Sequence, residues 1–351
     1  MKPEDRRFFS ISPYALLGAS AVVSSAEALS HINTTFKQLR DAGVTDILWH
    51  ASICGKALYH TRVATALSGD TRYRGRLLEA MLKSVDFLEA AATAGRNCGL
   101  SLSVVCRPYD DYFPGLACDF EASHQHCLWE SRDGQFRLRG VLSMAYEEVR
   151  CYRLAVVEEL ASYDVDRVVI DLDSNAACMT PFRRMDFFGY NDPIAHAHLE
   201  RFGEDIRAFD DIEYRRGHDL QIVDAHCLGG QFNRDGWHRL KGEYFETFLG
   251  EASRIVKAAH RRFGLLRGRI EGILPMARMS LPADSWLKNG LLDDLFLPYG
   301  AGEDRPLAAY LAARSASACV ITSTSTNAGD GAIVNLGDII GASRVDDGTL
   351  A

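Results

Sequence analysis

The feature that most restricts this chain is an alternation of eight β-rich runs with helical stripes, without a glycine-rich GxGxxG turn after the first run. The runs are FFSISP (8–13), TDILWHAS (45–52), LSLSVVCRP (100–108), DRVVIDLD (166–173), RGRIEGILP (267–275), DLFLPY (294–299), ACVITST (318–324) and GAIVNLG (331–337). Their continuous apolar middles suit strands buried on both faces of a parallel sheet. Between them, Leu29, Ile32, Phe36 and Leu39 recur at helical spacing before Gly43, and Leu77 to Ala92 repeat the pattern before Gly99. Val149 to Leu160 and Leu240 to Ala259 give two more such stripes. This order favours an α/β fold, a (β/α)8 TIM barrel, over an open dinucleotide-binding sheet.

The 351 residues fit one barrel domain spanning 1–351, because barrels run to about 250 residues or more as single units. After residue 337 only IIGASRVDDGTLA remains, too little for a full closing helix, so the last βα unit is expected to be short or completed by another chain. A homo-oligomer is therefore an open expectation. The two longest strand-to-helix connections, near 108–144 and 174–236, follow the third and fourth strands. In a barrel such loops gather on the catalytic face. They carry Tyr109, Tyr112, Phe113, Phe120, Trp129, Phe187, Phe188, Tyr190, Tyr214 and Trp237, either as the aromatic stock of a sugar-stacking cleft or as packing for the loops themselves.

A hydrophobic content of 47% with 25% charged residues is that of a globular chain, and a net charge of −8 argues against a nucleic-acid or anionic-membrane surface. No apolar run approaches the roughly 20 residues that span a bilayer, and the opening MKPEDRRFFSISPYALLGAS reads poorly as a secretory signal. The nine cysteines are odd in number and form no CxxC pair, as expected of reduced thiols in a cytoplasmic protein.

The sharpest local signal is Asp171-Leu172-Asp173, closing an otherwise apolar strand. Residues two apart on a strand point the same way, so both carboxylates are expected at the barrel mouth. The alternative is that one of them caps the next turn or pairs with Arg183 or Arg184. Arg107 stands near the end of the third run and Tyr109, Asp110 and Asp111 follow it directly, and His50 stands near the end of the second, after Trp49. On the fifth, Glu271 shares parity with Arg269, as a proton donor or as half of a buried ion pair. Asp293 and Asp294 precede the apolar LFLPY of the sixth run and belong to the opposite, stability face, whereas Tyr299 closes that run on the substrate side. No metal or cofactor is expected: His196 and His198 form an HxH pair on a helical pattern, where residues two apart diverge.

Several segments, LSMAYEEVRCYRLAVVEELASYDVDRVVIDLD, FFGYNDPIAHAHLERFGEDIRAFD, WHRLKGEYFETFLGEASRIV and DSWLKNGLLDDLFLPY, together resemble the bacterial glycosyl-hydrolase-like barrel proteins grouped as family-10-like glycosylhydrolases. The likeness runs loosely from about residue 25 to 300. It implies Asp171 as the leading catalytic or sugar-contacting carboxylate. Val169 stands where that family carries another acid, and Asp173 stands at its aromatic position.

The expected function is a glycoside hydrolase acting on a carbohydrate through paired carboxylates. Asp171 is the expected nucleophile or base, and Glu271, Asp173 or Asp110, in that order, the acid. His50, Arg107, Tyr109, Trp129, Tyr190, Trp237 and Tyr299 are the expected substrate contacts. The alternatives are a non-catalytic carbohydrate-binding barrel and a barrel lyase or isomerase of a phosphorylated sugar, the last suggested by TSTSTNAGDG at 322–331.

Overall fold

The computed structural model describes residues 6–18, 22–174, 186–208, 212–216, 222–227, 232–266, 277–297, 319–322 and 332–334. Eight strands make one parallel sheet: β1 (Arg7–Ile11), β2 (Asp46–His50), β3 (Ser101–Cys106), β4 (Arg167–Asp171), β5 (Arg262–Leu266), β6 (Asp294–Leu297), β7 (Cys319–Thr322) and β8 (Ala332–Val334). Hydrogen-bonded neighbours follow chain order from β1 to β7, and β8 pairs with the free edge of β1.

That sheet is curled. Four strands separate β1 from β6, a distance of about 24 Å across a flat sheet. Yet the rings of Phe8 on β1 and Phe296 on β6 meet edge to face with centroids 5.2 Å apart. Strand alternation then sorts the side chains. One set, Phe8, Leu48, Val105, Val169, Leu266 and Phe296, one from each of β1 to β6, forms a closed apolar cluster inside the curl. The other set, including Phe9, Ile47, Trp49, Val104, Val168, Ile170, Phe263 and Leu295, joins the larger core under the helices.

Two residues before the inner apolar layer lies an ionic one. Arg167 Nε donates to Asp294 Oδ2 at 2.6 Å and its Nη1 donates to Ser103 Oγ at 2.6 Å. Asp46 Oδ1 stands 3.8 Å from the same guanidinium. All four residues are buried. Arg262 reaches Asp294 from outside, and Arg6 and Thr45 reach Asp46, so each buried acid has more than one partner. Asp294 thus sits at the N-terminal end of its strand, away from the mouth.

The fifth strand lies five residues earlier than the sequence pattern places it: Arg262–Leu266, not 267–275. Its short RFGLL run is pinned by register, Gly264 opposite Val169 and Leu265 opposite Ile170. A Cβ at Gly264 would come within 3.1 Å of the Phe296 ring and 3.4 Å of Val169. Interior crowding therefore explains a glycine that weakens the strand signal in the sequence.

The helices start and stop on local chemistry. Ser24 caps Ser25–Asp41 in a reciprocal capping box with Glu27. The single stripe expected over 77–92 is two helices, Tyr73–Leu82 and Phe87–Cys98, because Asp86 starts a second helix by accepting from the backbone of Leu88 and Glu89. The second ends on left-handed Gly99. Glu147–Ala161 and Arg234–Ala258 carry the last two stripes. The long connections hold structure of their own. Tyr112–Phe113 pairs with Leu116–Ala117 and Leu128–Glu130 with Arg137–Leu142 after β3, and helix Asp192–Phe202 and a hairpin (Ile212–Arg216, Ile222–Cys227) follow β4. Among the described residues no helix is long and apolar enough to cross a membrane.

Candidate active site

One residue-pair step beyond the inner apolar layer, the same strand faces turn polar: Ser10, His50, Arg107 and Asp171 extend β1 to β4 at their C-terminal ends. Ser10 Oγ and His50 Nε2 are 2.8 Å apart. Burial, reinforced by the nearby Arg107 charge and opposed by Asp173, pushes the His50 pKa down to about 3, so the imidazole is neutral at physiological pH.

Arg107 organises the carboxylates. Its Nε donates to Asp171 Oδ2 at 2.7 Å, its Nη1 lies 3.7 Å from Asp110 Oδ2, and its Nη2 lies 3.9 Å from Asp173 Oδ2. Burial opposes the positive charge, but Asp171, Asp110 and Asp173 outweigh it and hold the guanidinium's pKa above its ordinary value. Asp171 accepts with both oxygens, since Oδ1 also takes the backbone N–H of Asp173 at 2.9 Å. The acid expected to attack substrate therefore also caps the turn after β4 and has Arg107 as a cation partner; Arg183 and Arg184 lie outside the described residues. Asp173 lies beyond the end of the strand and keeps 39% of its side chain exposed, against 1% for Asp171 and for Asp110. Asp111 turns the other way and pairs, buried, with Arg153 of helix Glu147–Ala161. Burial first of all, against the pull of Arg153, lifts its pKa to about 6.

Four expected substrate contacts are instead packed inside the loops. Tyr109, Trp129, Tyr190 and Trp237 are each no more than 2% exposed. The Tyr109 ring packs 5.5 Å from Trp129 and 6.0 Å from Phe245. Tyr190 packs 4.6 Å from Trp237, whose Nε1 donates to Gly189 O. Faces covered this way cannot stack on a sugar; the long loops spend these aromatics on their own cores. Tyr112 and Phe113 remain half-exposed on their hairpin. Glu271, Arg269 and Tyr299 lie outside the described residues, as does nearly all of 322–331. His198 is buried with Nδ1 and Nε2 each 3.0 Å from a backbone carbonyl, of Glu204 and Asn233, while His196 is exposed. The two do not form a ligand pair.

Sequence reasoning missed Ser10 and the Asp70–Arg72 pair. Ser10 carried a signal, a polar residue two positions after inward-facing Phe8. Asp70 and Arg72 carried none, because they stand in irregular chain after β2. Arg72 donates through Nε and Nη2 to Asp70 at 2.8 and 2.7 Å and lies over the rings of Phe113 (4.8 Å) and Tyr14 (5.2 Å). The Cys54 thiol, pushed up to about 12 by burial and then by Asp110, also feels Arg72 and Arg107, which places this second pair near the first. Gly55 beside it has φ +75°, and a Cβ there would come within 2.8 Å of the Asp111 backbone.

Lys241 is the other unusual group. Its Nζ is buried 3.4 Å from the Trp237 ring centroid, without a hydrogen-bond acceptor among the described residues. Burial lowers its pKa to about 7, against the pull of Asp186, which itself pairs with His238 at 2.8 Å. Between that value and the ordinary lysine pKa, the unfolded chain binds a proton that the folded chain does not, so stability rises with pH across this window. From pH 7 to 9 the wild type should gain about 2–3 kcal/mol relative to Lys241→Met, read from urea unfolding. Parallel pH profiles for the two proteins would refute the assignment.

No protein-family model matches this chain, and no curated protein sequence does. Solved structures do. The catalytic domain of β-amylase from Paenibacillus polymyxa superposes with TM-score 0.52 at 11% identity, over 94% of this chain and 88% of that one. The PgaB (BpsB) glycoside hydrolase domain from Bordetella bronchiseptica gives TM-score 0.52 at 11% identity, over 91% and 84%. This chain spans 40% of the β-galactosidase from the psychrophilic Marinomonas ef1, at 12% identity and TM-score 0.46. The similarity to the first two is one of fold alone, a mixed α/β architecture around a curled parallel sheet.

Proposed function

We propose that this chain is a glycoside hydrolase whose sheet closes between β7 and β8 into a single (β/α)8 barrel, with carbohydrate bound at the C-terminal strand ends. The observation that carries this reading is the gathering of Asp110, Asp171 and Asp173 around Arg107 at the ends of β3 and β4, where barrel enzymes place their catalytic groups. Kinship with the family-10-like glycosylhydrolases belongs to the same proposal.

Hydrolysis of a glycosidic bond passes through an oxocarbenium-like transition state and needs one carboxyl group to protonate the leaving oxygen and another to stabilise or attack the sugar. Three formal negative charges around one guanidinium favour positive charge developing on a sugar ring and disfavour a phosphate dianion. This argues for a neutral sugar over a phosphorylated one. Asp173, with the exposed carboxyl group, takes the substrate-facing acid–base role. Asp171 fixes Arg107 and shapes the field, and neutral His50 with Ser10 hydrogen-bonds sugar hydroxyls. A non-catalytic carbohydrate-binding barrel is the second reading, favoured by the engagement of both Asp171 oxygens.

A panel of aryl glycosides and oligosaccharides, assayed for turnover and for ligand-induced melting shifts, separates the readings. Turnover lost in Asp173→Asn supports the hydrolase. Melting shifts without turnover support the binding barrel. Stabilisation by sugar phosphates alone would overturn both.

A further inference from the structure

The insertion after β3 closes on helix Glu147–Ala161 through three side chains of mixed donor chemistry. His126 and Cys127 are consecutive on one 3-10 turn, Gln125–Cys127, and Glu148 stands in the first turn of the helix. His126 Nε2 lies 3.0 Å from Glu148 Oε1 and 3.3 Å from Cys127 Sγ, and Sγ lies 3.4 Å from the same Oε1. A tetrahedral zinc ion, with bonds of about 2.0–2.1 Å to nitrogen and oxygen and about 2.3 Å to sulfur, holds such ligands roughly 3.3–3.6 Å apart. The fold therefore brings a sulfur, a nitrogen and an oxygen donor almost to the edges of that tetrahedron, before any ion is considered.

The backbone keeps them there. Cys127 N donates to His124 O at 2.9 Å, and Cys127 O accepts from Ser143 N at 2.8 Å. The Tyr146 ring meets His126 edge to face at 5.6 Å. Cys127 is buried while His126 and Glu148 are exposed, so the sulfur anchors the site from inside and its fourth position opens outward to water.

We propose that His126, Cys127 and Glu148 bind one zinc ion, with water as fourth ligand, joining the insertion after β3 to the helix that follows it. As the zinc–sulfur bond forms, the thiol proton leaves to solvent, so one thiolate and one carboxylate balance the two charges of the ion. The donor set of borderline-soft sulfur and imidazole with one carboxylate suits zinc over calcium or magnesium, which take all-oxygen shells. Local spacing conceals the site, because Glu148 lies 21 residues beyond Cys127.

The test uses the untagged full chain, kept reduced, stripped with chelator and titrated with zinc and, separately, with cobalt(II). The expected results are one zinc retained per chain, a rise in melting temperature on adding zinc, and a thiolate-to-cobalt charge-transfer band. Cys127→Ser should lose the band. His126→Ala, which changes an exposed side chain, should lose zinc retention while the metal-free protein melts as the wild type does. Absence of the band in the wild type, or equal zinc retention by His126→Ala, would overturn the proposal. Neither outcome depends on whether the chain hydrolyses sugars.

Discussion

Asp173→Asn is expected to reduce glycoside turnover by about 10²–10⁴-fold, the usual contribution of a general acid or base, while the melting temperature stays that of the wild type. Its carboxyl group is 39% exposed and stands 3.9 Å from Arg107, so little of the fold leans on it. Asp171→Asn should behave differently. Asp171 is buried, accepts the 2.7 Å bond from Arg107 Nε and caps the turn that carries Asp173. Losing its charge leaves a largely buried guanidinium with weaker partners, so activity and melting temperature fall together. Turnover and thermal unfolding measured on both variants decide the roles. An active Asp173→Asn protein beside an inactive, fully stable Asp171→Asn protein would return the substrate-facing role to Asp171.

Asp294→Asn is expected to cost about 3–5 kcal/mol, the usual penalty for stripping one partner from a buried ion pair. Arg167 would keep Ser103 and a longer contact with Asp46 but lose the negative charge of the carboxylate that accepts its 2.6 Å bond. Urea unfolding followed by circular dichroism measures the loss. Arg167→Met combined with Asp294→Leu should recover much of it, because a burial-matched apolar pair carries no desolvation cost. The same pair imposes a pH dependence. Burial works to raise the Asp294 pKa, but hydrogen bonds and charge from Arg262 and Arg167 prevail and hold it below the ordinary aspartate value. The stabilisation is therefore complete above the unfolded pKa of about 4 and disappears as pH falls toward the depressed folded value. An acid-unfolding profile identical in wild type and Asp294→Asn would contradict this.

Periodicity alone sufficed for the parallel α/β order, because a strand buried on both faces must be apolar throughout and a helix lying on it must carry a stripe. Seven of the eight strands fall within or across the β-rich runs that mark them. The fifth escaped because Gly264, crowded by the ring of Phe296 on the neighbouring strand, breaks the apolar run. Strand-end position brought out His50, Arg107, Asp171 and the side of the sheet on which Asp294 falls. Tertiary structure decided the rest. Whether Trp129 or Trp237 stacks on ligand or on its neighbours depends on how a long loop folds back, which no spacing encodes. That Asp171 holds Arg107 while Asp173 stays open, and that His126 and Cys127 meet Glu148, are contacts between segments far apart in the chain. Residue identity fixes what a side chain can do; only the fold brings it a partner.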